Sequence, residues 1–108
     1  MELKLLSTKG TPNGSTVLIY EIGNYTIWER ITKYYTSISI HPNLKANDFL
    51  PVIFADDENN DGVVTDFKIE TTAYGSLKIE DSKRFIEAYQ EAVEVVEILK
   101  NKFISKDR

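Results

Sequence analysis

Cysteine is absent from this 108-residue chain, and its absence excludes several kinds of chemistry. The protein can form no disulfide bond, no thiolate metal site and no thiol nucleophile. Histidine is nearly absent as well, since His41 is the only one. One histidine without cysteines is a poor basis for a zinc site, and no Gly-x-Ser-x-Gly nucleophile motif accompanies it. The composition therefore favours a protein that is not an enzyme, and we predict no catalytic or cofactor-binding residue.

Long apolar runs and basic clusters are also missing. No stretch approaches the ~18 apolar residues that a membrane helix requires, and the first residues do not resemble a secretory signal. The net charge is −4, with 13 basic and 17 acidic side chains. Nucleic-acid binders usually show the opposite balance, because their affinity depends on neutralising phosphates. We therefore expect a cytoplasmic protein whose partner is another protein or a second copy in a homodimer, with no membrane or nucleic-acid contact.

Strand-like alternation dominates the first three-quarters of the chain. Gly23 and Asn24 between two alternating segments predict a tight hairpin, because both residues tolerate the positive φ of such turns. Residues 25–41 fit either one long bent strand or two strands with an irregularity near Arg30–Lys33, and part of this segment also fits helical spacing. The predicted strand segments are, in chain order, Glu2–Ser7, Ser15–Ile22, 25–41, Leu50–Ala55 and Val63–Thr72.

The last quarter changes to a helical period, which predicts an amphipathic helix over about 81–103. Asp81 and Ser82 are both acceptable N-cap residues. Apolar residues recur at spacings of three and four along one side: Phe85, Tyr89, Ala92, Val96, Leu99 and Phe103. Such a helix needs an apolar surface to cover. We therefore predict an α+β fold in one domain, 1–108, with an antiparallel five- to six-stranded meander and the helix packed across one face.

An acidic loop at residues 56–66 contains the start of a calcium-binding motif. Asp57, Asn59 and Asp61 stand at the first, third and fifth positions of an EF-hand-type loop, followed by the glycine usual at position six. Lys68, however, occupies the twelfth position, where a bidentate carboxylate belongs. The flanking segments are strand-like, although an EF-hand needs helices. Two interpretations stay open, an acidic hairpin tip and a weak calcium site formed by these three residues.

Large aromatic residues are concentrated in the strand region. Because successive side chains of a strand point to opposite faces, some of them must point away from the helix. Trp28 and Tyr35, together with Arg30, belong to the residue types that contribute most to protein-binding hot spots. We therefore predict a small interaction or accessory module that binds another protein through Trp28, Arg30 and Tyr35. The alternatives are a weak calcium-binding domain and a small carboxylate-based enzyme.

Overall fold

Six strands and one helix form the part of the chain that this computed structural model describes, residues 1–70 and 79–104. The first four strands are consecutive antiparallel neighbours in one sheet, and the last two form a separate antiparallel pair. The strands are β1 Lys4–Gly10, β2 Thr16–Ile22, β3 Tyr25–Ile31, β4 Thr36–Pro42, β5 Val52–Asp56 and β6 Asp66–Glu70. A short 3-10 turn at Ile79–Asp81 leads into the helix α1, Ser82–Phe103. No helix among these residues is both long and apolar enough to cross a membrane.

The predicted α+β class is confirmed, but the single five- to six-stranded sheet is wrong. Within the described ranges the strands divide into a four-stranded meander and a two-stranded hairpin, and β5 packs beside β4 without extending its sheet. Pro42 is the last residue of β4 and has no N–H with which to continue a ladder, and Pro51 immediately precedes β5. The predicted strand Val63–Thr72 is also shorter, since β6 begins at Asp66, and residues 71–72 lie outside the described residues.

Residues 25–41 form two strands, β3 and β4, and not one long bent strand. The interpretation with an irregularity near Arg30–Lys33 is therefore confirmed. The turn between them is held by Thr32, whose hydroxyl oxygen accepts hydrogen bonds from the backbone N–H groups of Tyr34 at 3.2 Å and Tyr35 at 3.0 Å. A threonine that binds the backbone two and three residues ahead stabilises a turn in place of a continuing ladder. The predicted hairpin at Gly23-Asn24 is confirmed, with Gly23 at a φ of +53°.

The core lies between one face of the four-stranded sheet, the β5–β6 hairpin and α1. Every second residue of β2, β3 and β4 points into it, as the strand period requires. Of the residues that the structure describes, thirteen apolar ones are buried there: Tyr20, Ile22, Tyr25, Ile27, Ile40, Leu50, Ile53, Phe67, Ala88, Ala92, Val95, Val96 and Leu99. Burial of this apolar area is the main stabilising contribution available to a small domain without disulfides.

The helix is placed as predicted. The predicted apolar stripe extends to Ile86 and Val93 on one flank and to Ala88 and Val95 on the other, and the second flank is the buried one. Tyr89 is 40% exposed and the flanking Ile86 is 51% exposed, whereas Ala88 and Val95 are fully buried. The buried side of α1 is therefore centred nearer to the flank that carries Ala88 and Val95. At the N-terminus, Asp81 occupies the N-cap position but its side chain makes no capping hydrogen bond.

Polar contacts fix the helix at several places along its length, and the first is near its start, where Asn47 Nδ2 donates to the Arg84 carbonyl at 3.1 Å and Arg84 pairs with Asp48. Glu91 accepts hydrogen bonds from the Asn24 backbone N–H at 2.6 Å and from Asn24 Nδ2 at 3.0 Å, which ties the middle of α1 to the β2–β3 turn. Lys100 Nζ lies 3.3 Å from Asp66 Oδ1 at the start of β6. Within the described residues, α1 packs on one face of the four-stranded sheet, and the second face of that sheet is exposed.

Candidate functional site

The outer face of the four-stranded sheet is defined by the side chains on the same side as Trp28. Residues paired across an antiparallel ladder share a face. Trp28 pairs with Ile19 on one side and with Ser39 on the other. Arg30 pairs in the same way with Val17 and Ser37. The complete outer face is formed by Lys4, Ser7, Lys9, Val17, Ile19, Glu21, Thr26, Trp28, Arg30, Ser37, Ser39 and His41.

A shallow groove of about 270 Å³ crosses this face over β3 and β4. Trp28 and Arg30 form one wall, and Tyr35, at the end of the β3–β4 turn, lies at one end. Serines rather than large side chains follow one another on β4, so the groove has room for a side chain from another molecule. Its lining is Val17, Trp28, Arg30, Tyr35, Ser37 and Ser39. The three residues predicted from the sequence as partner-binding therefore lie together around one groove.

Both aromatic residues of the groove are only partly covered by their own chain. Trp28 is 47% exposed and Tyr35 is 46% exposed. The indole of Trp28 makes an edge-on contact with the imidazole of His41, with ring centroids 6.0 Å apart. This contact orients the ring without burying it. Half-exposed aromatic rings of this kind retain apolar area that a partner can cover.

The groove ends at the loop that joins β5 to β6. The Gly62 carbonyl accepts a hydrogen bond of 3.4 Å from the Thr36 backbone N–H. A Cβ built on Gly62 would lie 2.8 Å from Cβ of Tyr35, and the φ of Gly62 is +82°. Only glycine combines this backbone conformation with so close an approach. Gly62 therefore lets the acidic loop pack directly against Tyr35.

Hydrogen bonds within the acidic loop account for the conformation of Asp57. Its Oδ1 accepts from the Asp61 backbone N–H at 3.1 Å, and its Oδ2 accepts from the Gly62 backbone N–H at 2.7 Å. Desolvation would raise the pKa of Asp57, but these hydrogen bonds to the carboxylate outweigh it and hold the pKa below its usual value. Asp61 acts similarly, since its Oδ1 accepts from the Val63 backbone N–H at 3.0 Å. The loop is thus an acidic tip organised by its own carboxylates.

The structure offers little further support for the calcium interpretation. Lys68, at the position of the missing twelfth ligand, forms an ion pair of 3.1 Å with Asp56. Over residues 1–70 and 79–104, no group of three or more histidine, aspartate or glutamate side chains is arranged to hold a metal ion. Asn59 is exposed, and it makes no side-chain hydrogen bond to another described residue.

The other candidates for chemistry are dispersed. Asp56 and Asp57 are adjacent in sequence, but Asp56 is paired with Lys68 and Asp57 accepts from backbone amides. His41 lies on the exposed outer face, where its Nε2 is 3.3 Å from the hydroxyl of Ser39. A general acid–base pair requires two such groups directed at one reacting atom. The described residues show no arrangement of that kind around these side chains.

Sequence reasoning missed the small residues that make the groove. Ser37 and Ser39 carry no strong chemical signal by themselves, so they attracted no prediction. A signal was nevertheless present, because they alternate with Ile38 and Ile40 in β4. Their position beside Trp28 and Arg30 depends on the register between β3 and β4, which the sequence does not specify.

No protein-family model, curated protein or solved structure matches this chain. What the outer face can bind is therefore inferred from its own geometry and charge.

Proposed function

We propose that this protein is a non-enzymatic binding module and that it binds another protein through the outer face of its four-stranded sheet. The observation that carries this proposal is the convergence of Trp28, Arg30 and Tyr35 around one open groove. Tryptophan, tyrosine and arginine are the residue types that most often contribute large binding energies at protein interfaces. Trp28 and Arg30 lie on strand β3, and Tyr35 immediately precedes β4, so the paired backbone of the sheet fixes where the three side chains start.

The contrast with the buried aromatic residues supports this assignment. Tyr25 donates a hydrogen bond of 2.7 Å to the Pro51 carbonyl, and Tyr20 donates one of 3.0 Å to Glu29. Both rings are buried in the core. Trp28 and Tyr35 show neither property, since their rings are half exposed and the described residues accept no hydrogen bond from their polar ends. In the isolated protein, the exposed parts of both rings and their hydrogen-bond donors are therefore available to a partner.

Capture from the source cell by the full-length protein tests this function. We expect the wild-type protein to retain a partner and Trp28→Ala to lose at least about nine-tenths of it, since removal of a hot-spot residue costs ~2 kcal/mol or more. Leu44→Ala is the matched control, because Leu44 is 53% exposed but lies in the loop beyond β4, outside the outer face. Circular dichroism at the capture temperature establishes that all three proteins are folded.

Photo-crosslinking makes the same test while Trp28, Arg30 and Tyr35 stay in place. A photoreactive amino acid at Ser39 should crosslink to the captured partner, and the same group at Leu44 should not. Retention of the partner by folded Trp28→Ala, together with crosslinking from Leu44 alone, would contradict the proposal.

Catalysis and calcium binding are less well supported than protein binding. The carboxylates of the acidic loop are engaged by backbone amides and by Lys68, which leaves no acid–base pair around Asp56 and Asp57. The calcium hypothesis for Asp57, Asn59 and Asp61 stays a prediction and is tested below by melting. Cytoplasmic location and homodimer formation likewise stay predictions.

A further inference from the structure

We propose that the groove binds a carboxylate of the partner, so that the segment recognised is an acidic one with an apolar residue beside the acid. This inference rests on the proposed function and adds the chemistry of the partner to it. The carboxylate lies against Arg30 and the serine hydroxyls of β4, and the neighbouring apolar side chain covers the exposed part of Trp28.

The polar groups that line the groove are suited to an anion. Arg30 presents five N–H donors and no acceptor, and its planar guanidinium matches a carboxylate. The hydroxyls of Ser37 and Ser39 and the phenol of Tyr35 can each donate a hydrogen bond. Among the described residues, no aspartate or glutamate lines the groove. A carboxylate that enters it therefore meets several donors and no like charge.

Arg30 is available for such a contact. It is exposed, and within the described part of the chain its guanidinium forms no ion pair. Its neighbours across the two ladders are Val17 and Ser37, neither of which is charged. Hydrogen-bonded arginine–carboxylate pairs are among the stronger polar contacts at interfaces, because both partners are ionised and two parallel hydrogen bonds can form.

The charge of the whole outer face agrees with an acidic partner. Of the described residues, Lys4, Lys9 and Arg30 lie on this face with Glu21 as the only acidic side chain, although the protein as a whole has a net charge of −4. A positive surface on a negative protein attracts acidic segments and orients them during association.

The surroundings of the groove favour a short acidic segment over a nucleic acid. A phosphate backbone needs several cations in a row to neutralise it, and the groove itself contains only Arg30. The acidic β5–β6 loop borders Tyr35 at the end of the groove and would repel an extended polyanion. A single carboxylate paired with Arg30 carries less charge past that loop than a polyanion does, so it meets less repulsion.

Selection from a random library of displayed 12-residue peptides on the full-length protein tests the inference. We expect enriched peptides to contain an aspartate or glutamate next to an apolar or aromatic residue. Replacing their carboxylates by amides should weaken binding about tenfold, the ~1.4 kcal/mol expected at the low end for a charge-assisted pair. Arg30→Gln should weaken binding of the acidic peptide by a similar factor and leave the amide peptide unaffected. Lys45→Gln is the matched control, because it makes the same charge change on an exposed loop residue outside the outer face.

The possible results separate the two proposals. Acidic peptides that bind Arg30→Gln as well as wild type would overturn the carboxylate assignment, as would enrichment of neutral or basic peptides. If such peptides still require Trp28, the protein-binding face stands and only its chemistry is wrong. An absence of enrichment, or binding that Trp28→Ala leaves unchanged, would overturn both. Binding of a single-stranded oligonucleotide, or concentration-dependent self-association, would overturn the assigned partner if Arg30→Gln abolished it.

Discussion

The two faces of strand β3 differ more in solvent exposure than their residue types suggest. Ile27 and Trp28 are adjacent and both are large and apolar, yet Ile27 is completely buried and Trp28 is 47% exposed. The helix α1 and the β5–β6 hairpin cover the face of Ile27, and nothing in the described ranges covers Trp28 to the same degree. The inner face therefore supports stability, and the outer face is available for binding.

The polar side chains of the two faces also differ in whether they have a partner within the protein. On the inner side the phenol of Tyr20 has a fixed acceptor, the Glu29 carboxylate at 3.0 Å. On the outer side Arg30 has no ionic partner among the described residues. Buried polar groups must find partners within the protein because leaving them unsatisfied is costly, whereas exposed ones can remain solvated until a ligand arrives. One face of the sheet is thus buried in the core, and the other is exposed to solvent.

The largest expected effect that would test this comparison is on stability. Ile27→Ala should lower the free energy of unfolding by about 3 kcal/mol, because it leaves a cavity in a closed core. Trp28→Ala should lower it by only about 1 kcal/mol, the size of a cross-strand pair contribution, while abolishing partner binding. Urea unfolding monitored by circular dichroism measures both. Equal losses of stability would show that Trp28 belongs to the core.

An intermediate effect is expected at alkaline pH on the inner face. Burial, together with the hydrogen bond to Glu29 and the charge of that carboxylate, raises the pKa of Tyr20 from about 10 to about 12. The folded protein thus keeps the phenolic proton to higher pH than the unfolded chain. The associated stabilisation is complete below pH ~10 and is lost between pH ~10 and ~12, a change of up to about 3 kcal/mol.

Unfolding free energies measured from pH 8 to 11.5 should therefore fall more steeply for the wild-type protein than for Tyr20→Phe, which lacks the titrating group. Tyr34→Phe is the control, since Tyr34 is 82% exposed. The idea would be refuted by parallel pH profiles for wild type and Tyr20→Phe.

The smallest expected effect concerns the acidic loop, which belongs to neither face. Because Asp57 and Asp61 already accept backbone hydrogen bonds and Lys68 pairs with Asp56, excess calcium should shift the melting temperature by less than about 1 °C relative to chelator. Saturation of a real site at a hundredfold over its dissociation constant would add about 2.7 kcal/mol and a shift of several degrees. A shift of that size, absent in Asp61→Asn, would establish the calcium site.

Local patterns predicted much of the architecture. The Gly23-Asn24 turn, the alternation in β2 and β4 and the helical period from Ser82 to Phe103 all follow from neighbouring residues, so the α+β class could be predicted. The predicted partner-binding residues Trp28, Arg30 and Tyr35 were found by residue type, and they do lie around one groove. That they bind a partner stays a proposal.

Features that depend on distant parts of the chain could not be predicted. The bond between Asn24 and Glu91 joins residues far apart in sequence, and the separation of β5–β6 from the main sheet depends on how strands pack in space. The position of Gly62 against Tyr35 is of the same kind. Such contacts leave no local pattern in the sequence, because each residue involved is also typical of its own turn, loop or helix.

Residue order alone thus specified the periods, the turns and the single long helix, since these depend on backbone preferences and on spacings of two to four residues. It also specified that apolar side chains lie on both faces of β3. Which of those faces is covered depends on where α1 and the β5–β6 hairpin pack, and that follows from the burial of apolar area by the whole chain. Packing buries Ile27 in the core and leaves Trp28, one position later, half exposed.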